Sequence, residues 1–295
     1  MTDKNMPPVL SVCVITYGHE KYLKQTLESI IQQKVNFNVE LIISNDASPD
    51  NSDKIIKDFV DENSNSSMNI RYFKHDYNIG AIPNFKFALE NCNGKYIAVC
   101  EGDDYWLNIN KLQKQVDFLE VNNDYSCCFH DVKVIYSDRE VSFQKDRGNK
   151  ITNPVKLKDL LESEWLVPTC SFVFKRENMV LPSFFDKLRF GDFILFCSVI
   201  VNSKGHYIDE ELGAYRRNNF SSMTNETVFL GKINLKTDYI QFLNWLSNSA
   251  SEIDKVYINA RIDNEIKEIR NQIIIYRNSK FMKLYMKMRS IMVRK

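Results

Sequence analysis

At 295 residues the chain is long enough for one large domain, or for one domain with an appendage. Hydrophobic residues make up 44% and charged residues 26%, a composition that supports a proper core and sets aside a disordered or fibrous chain. The formal net charge of +1 gives no overall bias toward nucleic acid or an anionic membrane.

The opening "MTDKNMPPVLSVCVIT" has an apolar run too short for a signal peptide and lacks the basic flank and cleavage site of one. No apolar run approaches the roughly 18 residues of a spanning helix, so the expected location is cytoplasmic. The seven cysteines form no CxxC pair and sit in apolar runs, as reduced core thiols do. The four histidines are scattered, with no HExxH, and the spacing argues against zinc.

"VLSVCVIT" (9–16) is an apolar, β-branched run of strand length. A polar turn follows, then "EKYLKQTLESIIQQ", with Leu23, Leu27, Ile30 and Ile31 at helical spacing. "VELIISND" (39–46) repeats the strand type. "SPDNSDKIIKDFVDE" opens a helix that Ser48 or Asp50 is placed to cap. "NIRYFKH" is a third strand, "PNFKFALENC" a helix and "KYIAVC" a fourth strand. Apolar strands alternating with amphipathic helices predict a mostly parallel, Rossmann-like α/β sheet flanked by helices. In such sheets ligands bind outside the carboxyl ends of the strands. Three polar clusters fall at those ends, "TYGHE", "NDASPD" and "EGDD", and are expected to converge on one rim.

Beyond residue 104 the pattern changes. A helix (about 110–121) leads to a long strand, "YSCCFHDVKVIY", and then to a polar stretch (137–153) that reads as an exposed hairpin or loop. "VPTCSFVFKRE" is a further strand. "GDFILFCSVIVNSKG" reads as a helix carrying Asp192 at its start and closed by Gly205; "HYIDEELGAYRRNN" reads as one or two short strands ending in Arg216–Arg217. From about 226 onward everything is helix-like. Its last stretch is basic and amphipathic, with Phe281, Leu284, Tyr285, Met288, Ile291 and Met292 on one face. That stretch, 276–295, fits either reversible contact with an anionic membrane surface or a helix packed on the catalytic domain.

Glu101, Asp103 and Asp104 end the fourth strand, and three carboxylates in four positions repel one another. Taken alone, "EGDD" has three readings: a charged turn with Asp104 as a helix cap, a calcium loop that lacks EF-hand spacing, or carboxylates holding Mg²⁺ or Mn²⁺ beside a diphosphate. The other rim clusters favour the third. Asn45 or Asp46 can hydrogen-bond a nucleobase or ribose, and the "TYGHE" turn supplies backbone groups beside it. His130–Asp131 reads first as a paired core histidine, and Trp106 and Trp165 as core aromatics.

The ordered set "SVCVITYGHEKYLKQTLESIIQQ", "ELIISNDASPDNS", "NIGAIPNFKFALENCNGKYIAVCEGDDYW", "TCSFVFKRE" and "GDFILFCSVIVNSKGHYIDEELGAYRRNN" resembles the family 2 glycosyltransferases of GT-A fold. The resemblance covers roughly residues 9 to 220. It implies a catalytic domain over 1–225, with a nucleotide-sugar half (about 1–108) and an acceptor half (about 109–225), followed by a helical C-terminal extension, 226–295. It also implies an inverting transfer from a nucleotide-sugar, a UDP-sugar by preference, to a hydroxyl of a glycan or lipid-linked acceptor in cell-surface polysaccharide or lipopolysaccharide synthesis.

Matched to the family's DxD motif, Asp103 takes the metal position (Mn²⁺ or Mg²⁺), Glu101 the ribose-facing position, and Asp104 supports them. Asp192 matches the catalytic base, with Gly191 before it where many members have Glu. Thr16, Tyr17, Glu20, Asn45, Asp46 and Asn78 fall in the nucleotide-sugar segments; Asn45 stands where the family more often has Asp. Arg216 matches a basic residue near the diphosphate. A non-catalytic nucleotide-sugar-binding homologue is the alternative, and a sugar nucleotidyltransferase the weaker one, because the first turn lacks a Gly- and Arg-rich phosphate loop.

Overall fold

The computed structural model of the chain describes residues 7–148, 150–163, 166–217 and 229–278. Contacts divide the chain into two compact units, Met1–Ser221 and Ser222–Lys295.

In the first unit, β1 (Leu10–Thr16), β2 (Val39–Asn45), β3 (Asn69–Lys74) and β4 (Tyr96–Glu101) are parallel in the order β3-β2-β1-β4. Their apolar runs have the expected cause. Leu10, Val12, Val14, Leu41 and Ile43 are completely buried, because α1 (Leu23–Ile31), α2 (Ser52–Glu62) and α3 (Ala81–Glu90) cover the sheet. Leu23, Leu27 and Ile30 form the buried stripe of α1, and each such side chain contributes about 1.5–3 kcal/mol.

Beyond β4 the sheet becomes mixed. It continues through β8 (Val173–Lys175), β6 (Cys127–Ile135), β9 (Gly205–Arg216) and β5 (Tyr105–Trp106), with β7 (Glu140–Ser142) paired to β6. Since β8 is antiparallel to both β4 and β6, and β6 is parallel to β9, the ends of β6 and β9 point the same way as those of β1, β2 and β4. The segments α4 (Lys111–Val121), α5 (Phe143–Arg147), α6 (Leu157–Glu162) and α7 (Asp192–Ile200) complete this unit among the described residues.

Four sequence expectations are corrected here. The final strand is one 12-residue strand, β9, and a bulge opposite His130–Val132 absorbs the break in its apolar alternation. Only Val173–Lys175 of "VPTCSFVFKRE" pairs as a strand; after Pro168, residues Thr169–Ser171 form a 3₁₀ turn. The 137–153 stretch does form a hairpin, β7 pairing with β6, but it is not wholly exposed: α5 follows and Phe143 is fully buried. Finally, α7 ends at Ile200, and Gly205 opens β9 rather than closing the helix. His206 therefore lies on a strand, stacked 4.0 Å from the Phe118 ring.

The second unit contains α8 (Phe229–Ser247) and α9 (Glu252–Asn278), which pack on each other. Between them the nearly buried Glu265 accepts from Lys236 (2.6 Å) and Arg261 (2.7 Å). No helix among the described residues is long and apolar enough to cross a membrane. Residues 279–295 of the basic tail, and Trp165, lie outside the described residues.

Candidate functional site

Strand register puts Thr16 opposite Asn45, Ile15 opposite Glu101 and Asn45 opposite Lys74, so the four parallel strands end at one height. The turns beyond them are stapled together. Glu20 N–H donates to Asp50 Oδ2 (3.0 Å), Asn51 N–H donates back to Glu20 Oε2 (2.8 Å), and Gly18 N–H donates to Ser48 Oγ (3.1 Å). Gly102 N–H donates to the Ile15 carbonyl (2.9 Å), and a Cβ at Gly102 would meet Thr16 Oγ1 at 2.7 Å and His19 Nδ1 at 2.8 Å. The residue between the carboxylates must be glycine because the first turn lies against it. All three polar clusters occupy one rim.

Several residues expected to face a nucleotide spend their polar atoms on the scaffold. Asn45 is fully buried; its Oδ1 accepts from Ser48 N–H (2.9 Å) and its Nδ2 donates to Tyr72 Oη (3.0 Å). Tyr72 donates in turn to Asp53 (2.7 Å). Asp46 accepts from the N–H groups of Ile79 (2.7 Å) and Gly80 (3.0 Å), which fixes the entry to α3. Asn78, exposed, accepts from Gly80 N–H (3.0 Å). Thr16 is buried beside His19, whereas Tyr17 is 47% exposed and open to a ligand.

Glu101, Asp103 and Asp104 offer carboxylate oxygens that lie within 4.8 Å of one another. Burial, then the charges of Asp103 and Asp192, push the Glu101 carboxyl up to about 8. Asp104 is fully buried and is raised by burial and by its two neighbours; the Arg216 N–H, donating to its Oδ1 (2.9 Å), opposes the rise. Its Oδ2 is buried without a hydrogen-bond partner. Asp103 Oδ2 lies 4.0 Å from His19 Nε2. A close set of under-compensated carboxylates, two half-buried and one fully buried, suits a hard divalent cation with oxygen ligands.

Asp192 opens α7. Its Oδ1 accepts from the Phe193 N–H (2.7 Å), a bond to Thr169 also lowers its pKa, and burial outweighs both and raises it. Gly191 sits tightly before Asp192: a Cβ there would meet Ile82 Cδ1 at 3.0 Å and Phe85 Cδ1 at 3.2 Å, so a larger residue would require those side chains to shift. The charge of Asp192 helps to raise the Glu101 carboxyl, which puts the start of α7 in the neighbourhood of the acidic loop.

Sequence reasoning missed two side chains here. His19 lies in a turn read only for its backbone groups. Tyr215, on β9, has its phenol pushed up by burial and by Glu101, Asp104, Asp103 and Asp192. The arginine doublet splits. The Arg216 guanidinium donates to the Asp103 carbonyl and to Gln25 Oε1, and lies 4.6 Å from the Tyr22 and Tyr105 ring centres. Arg217 Nη1 instead donates to Tyr136 Oη (3.0 Å). His130 and Trp106 belong to the core: His130 Nδ1 bonds the Asp131 carbonyl (2.7 Å) and Trp106 Nε1 donates to the Cys170 carbonyl (2.8 Å).

An uncharacterized protein of Mycobacterium tuberculosis is 39% identical over 129 residues, covering 44% of this chain and 36% of that protein. The chain thus spans about a third of the length of the mycobacterial relative. The minor teichoic acid biosynthesis protein GgaB of Bacillus subtilis is 24% identical over 275 residues, covering 90% of this chain and 28% of GgaB. Among solved structures, S. aureus TarS (residues 1–349) in complex with UDP-GlcNAc superimposes with a TM-score of 0.62 at 18% identity, covering 92% of this chain and 74% of TarS, a likeness of GT-A fold. The family model described as glycosyl transferase family 2 matches residues 11–179, more than half of the sequence and the part that builds the rim from β1 through the acidic loop to β8, and the chain belongs to that family.

Proposed function

We propose that the chain moves a sugar from a nucleotide-sugar, a UDP-sugar by preference, to a hydroxyl of a glycan or lipid-linked acceptor in cell-surface polysaccharide synthesis, with inversion at the anomeric carbon. The observation that carries this reading is two acidic groups of different kind within electrostatic reach of each other: the clustered Glu101, Asp103 and Asp104, and the separate Asp192 at the start of α7. The likeness to GgaB, a minor teichoic acid biosynthesis protein, supports a cell-surface polymer, and the UDP-GlcNAc held by TarS supports the donor class.

Asp103 would hold Mn²⁺ or Mg²⁺; the bound cation would supply neutralisation of the charge that grows on the departing nucleoside diphosphate. Glu101 is assigned to the ribose side and Asp104 to support. Asp192, its carboxyl raised by burial above the ordinary aspartate range, is assigned as the base that accepts the proton of the attacking acceptor hydroxyl. Thr16, Tyr17, Glu20, Asn45, Asp46 and Asn78 shape the nucleotide side of the rim, Asn45 and Asp46 chiefly by fixing its loops. The reading carries with it the division into 1–108, 109–225 and 226–295. It also carries a cytoplasmic location at the inner membrane face, with 276–295 as the membrane contact.

The test is a screen of UDP-, GDP- and dTDP-sugars with Mn²⁺, scoring nucleoside diphosphate release, followed by Asp192→Asn with the active donor. The variant should retain donor affinity within about twofold and lose turnover by at least about 100-fold, the scale of general-base catalysis. Near wild-type turnover in Asp192→Asn would remove Asp192 as the base. Donor binding without any turnover in the wild type would favour the non-catalytic alternative.

A further inference from the structure

Arg216 stands apart in how completely the fold holds it. Its main-chain N–H donates to Asp104 Oδ1 at 2.9 Å across 112 residues of sequence. Its guanidinium donates to the main-chain carbonyl of Asp103 and to Gln25 Oε1 on α1. The guanidinium also lies 4.6 Å from the ring centres of both Tyr22 and Tyr105. Guanidinium planes stack well on aromatic faces and fork rigidly toward two acceptors, which a lysine ammonium does not do.

One residue at the end of β9 thus grips both members of the acidic pair, the carboxylate of Asp104 and the peptide carbonyl of Asp103. Fixing that carbonyl fixes the backbone from which the Asp103 carboxylate projects. Partners of this kind orient ligand groups and tune affinity without touching the bound species.

We infer that Arg216 is a positioning residue: it acts through Asp103 and Asp104 to set the geometry of the divalent-cation site, in place of binding the diphosphate directly. The inference rests on the proposed function for the identity of the bound cation, and the contacts that support it do not. It makes cation affinity depend on the register of β9 with the β4–β5 loop, so that the acceptor half of the fold contributes to the donor site.

The experiment uses the full chain and its Arg216→Lys and Gln25→Leu variants. Mn²⁺ binding is titrated by electron paramagnetic resonance without nucleotide, UDP affinity is measured at saturating Mn²⁺, and amide exchange is followed over residues 103–106 in metal-free protein. Arg216→Lys should weaken Mn²⁺ binding about tenfold or more, speed exchange over 103–106, and leave UDP affinity at saturating Mn²⁺ within about twofold of wild type. Gln25→Leu, which removes one acceptor at the protein surface, should show the same pattern more weakly and serves if Arg216→Lys does not fold. Unchanged Mn²⁺ binding with lost UDP affinity would overturn the inference in favour of a direct phosphate contact. Unchanged exchange over 103–106 would also overturn it. A wild type that binds neither Mn²⁺ nor UDP would instead sink the proposed function, and the exchange comparison would still judge the latch.

Discussion

Glu101→Gln should stabilise the metal-free protein while impairing its function. Glu101 is held at about 8 against an ordinary 4.5, chiefly by burial and then by Asp103 and Asp192. Between those two values the folded state keeps a proton that the unfolded state has released, so stability falls as pH rises through that window. The penalty grows to about 3 kcal/mol near pH 7 and levels off at about 5 kcal/mol above pH 8. Glutamine removes the charge but leaves an amide that needs partners, so a net gain of about 1–3 kcal/mol is expected near pH 9. Near pH 5 the gain should shrink below about 1 kcal/mol, because the carboxyl is then protonated in the fold at little cost. Urea unfolding of both proteins in EDTA at the two pH values measures this directly, and saturating Mn²⁺ should narrow the difference near pH 9. A gain of equal size at pH 5 and pH 9 would refute the electrostatic account, as would a loss at both.

Two further outcomes follow from the geometry. Gly102→Ala forces a Cβ to within 3 Å of Thr16 Oγ1, Thr16 Cβ and His19 Nδ1, so it should cost about 1–3 kcal/mol in thermal or urea unfolding and weaken donor binding in calorimetry. Because burial raises Asp192, the acid limb of the kcat–pH profile should lie above the ordinary aspartate range. Activity should fall as pH drops through that value, and a limb at ordinary aspartate pH would count against Asp192 as the base.

The parallel half of the fold was legible because β1, β2 and β4 are buried on both faces, which leaves unbroken apolar runs that stop where the rim begins. The acidic loop and Asp192 stood out for a related reason: charges set directly against buried segments are rare without a purpose. What did not show was the use to which polar atoms are put. Asn45 and Asp46 read as ligand-facing because they end a strand, and their bonds to the N–H groups of Ser48, Ile79 and Gly80, which hold the neighbouring loops, did not show. Arg216 read as a residue near the diphosphate, and its partners Gln25, Asp103 and Asp104 stayed hidden because they are more than 100 residues away. The β9 bulge was hidden because it breaks the period-two pattern from which strands are read.

The three carboxylates can be separated by what surrounds each. Asp104 has one oxygen on the Arg216 N–H and the other buried without a hydrogen-bond partner, and the residue is fully buried. Its placement is that of a peg between β9 and the loop after β4. Glu101 and Asp103 are the half-buried pair, and their charges have no arginine or lysine ion pair among the described residues. A scaffold that buries a peg next to two poorly compensated carboxylates gives up stability at that spot, and the surrounding β-core offsets the loss. Such a cost is sustained most economically where a cation binds, because binding to the folded state alone returns the missing stability by mass action. Asp104→Asn should therefore loosen β9 and the loop together, whereas Asp103→Asn should leave both in place and abolish cation binding. Amide exchange over 103–106 and Mn²⁺ titration, taken side by side, separate the two roles.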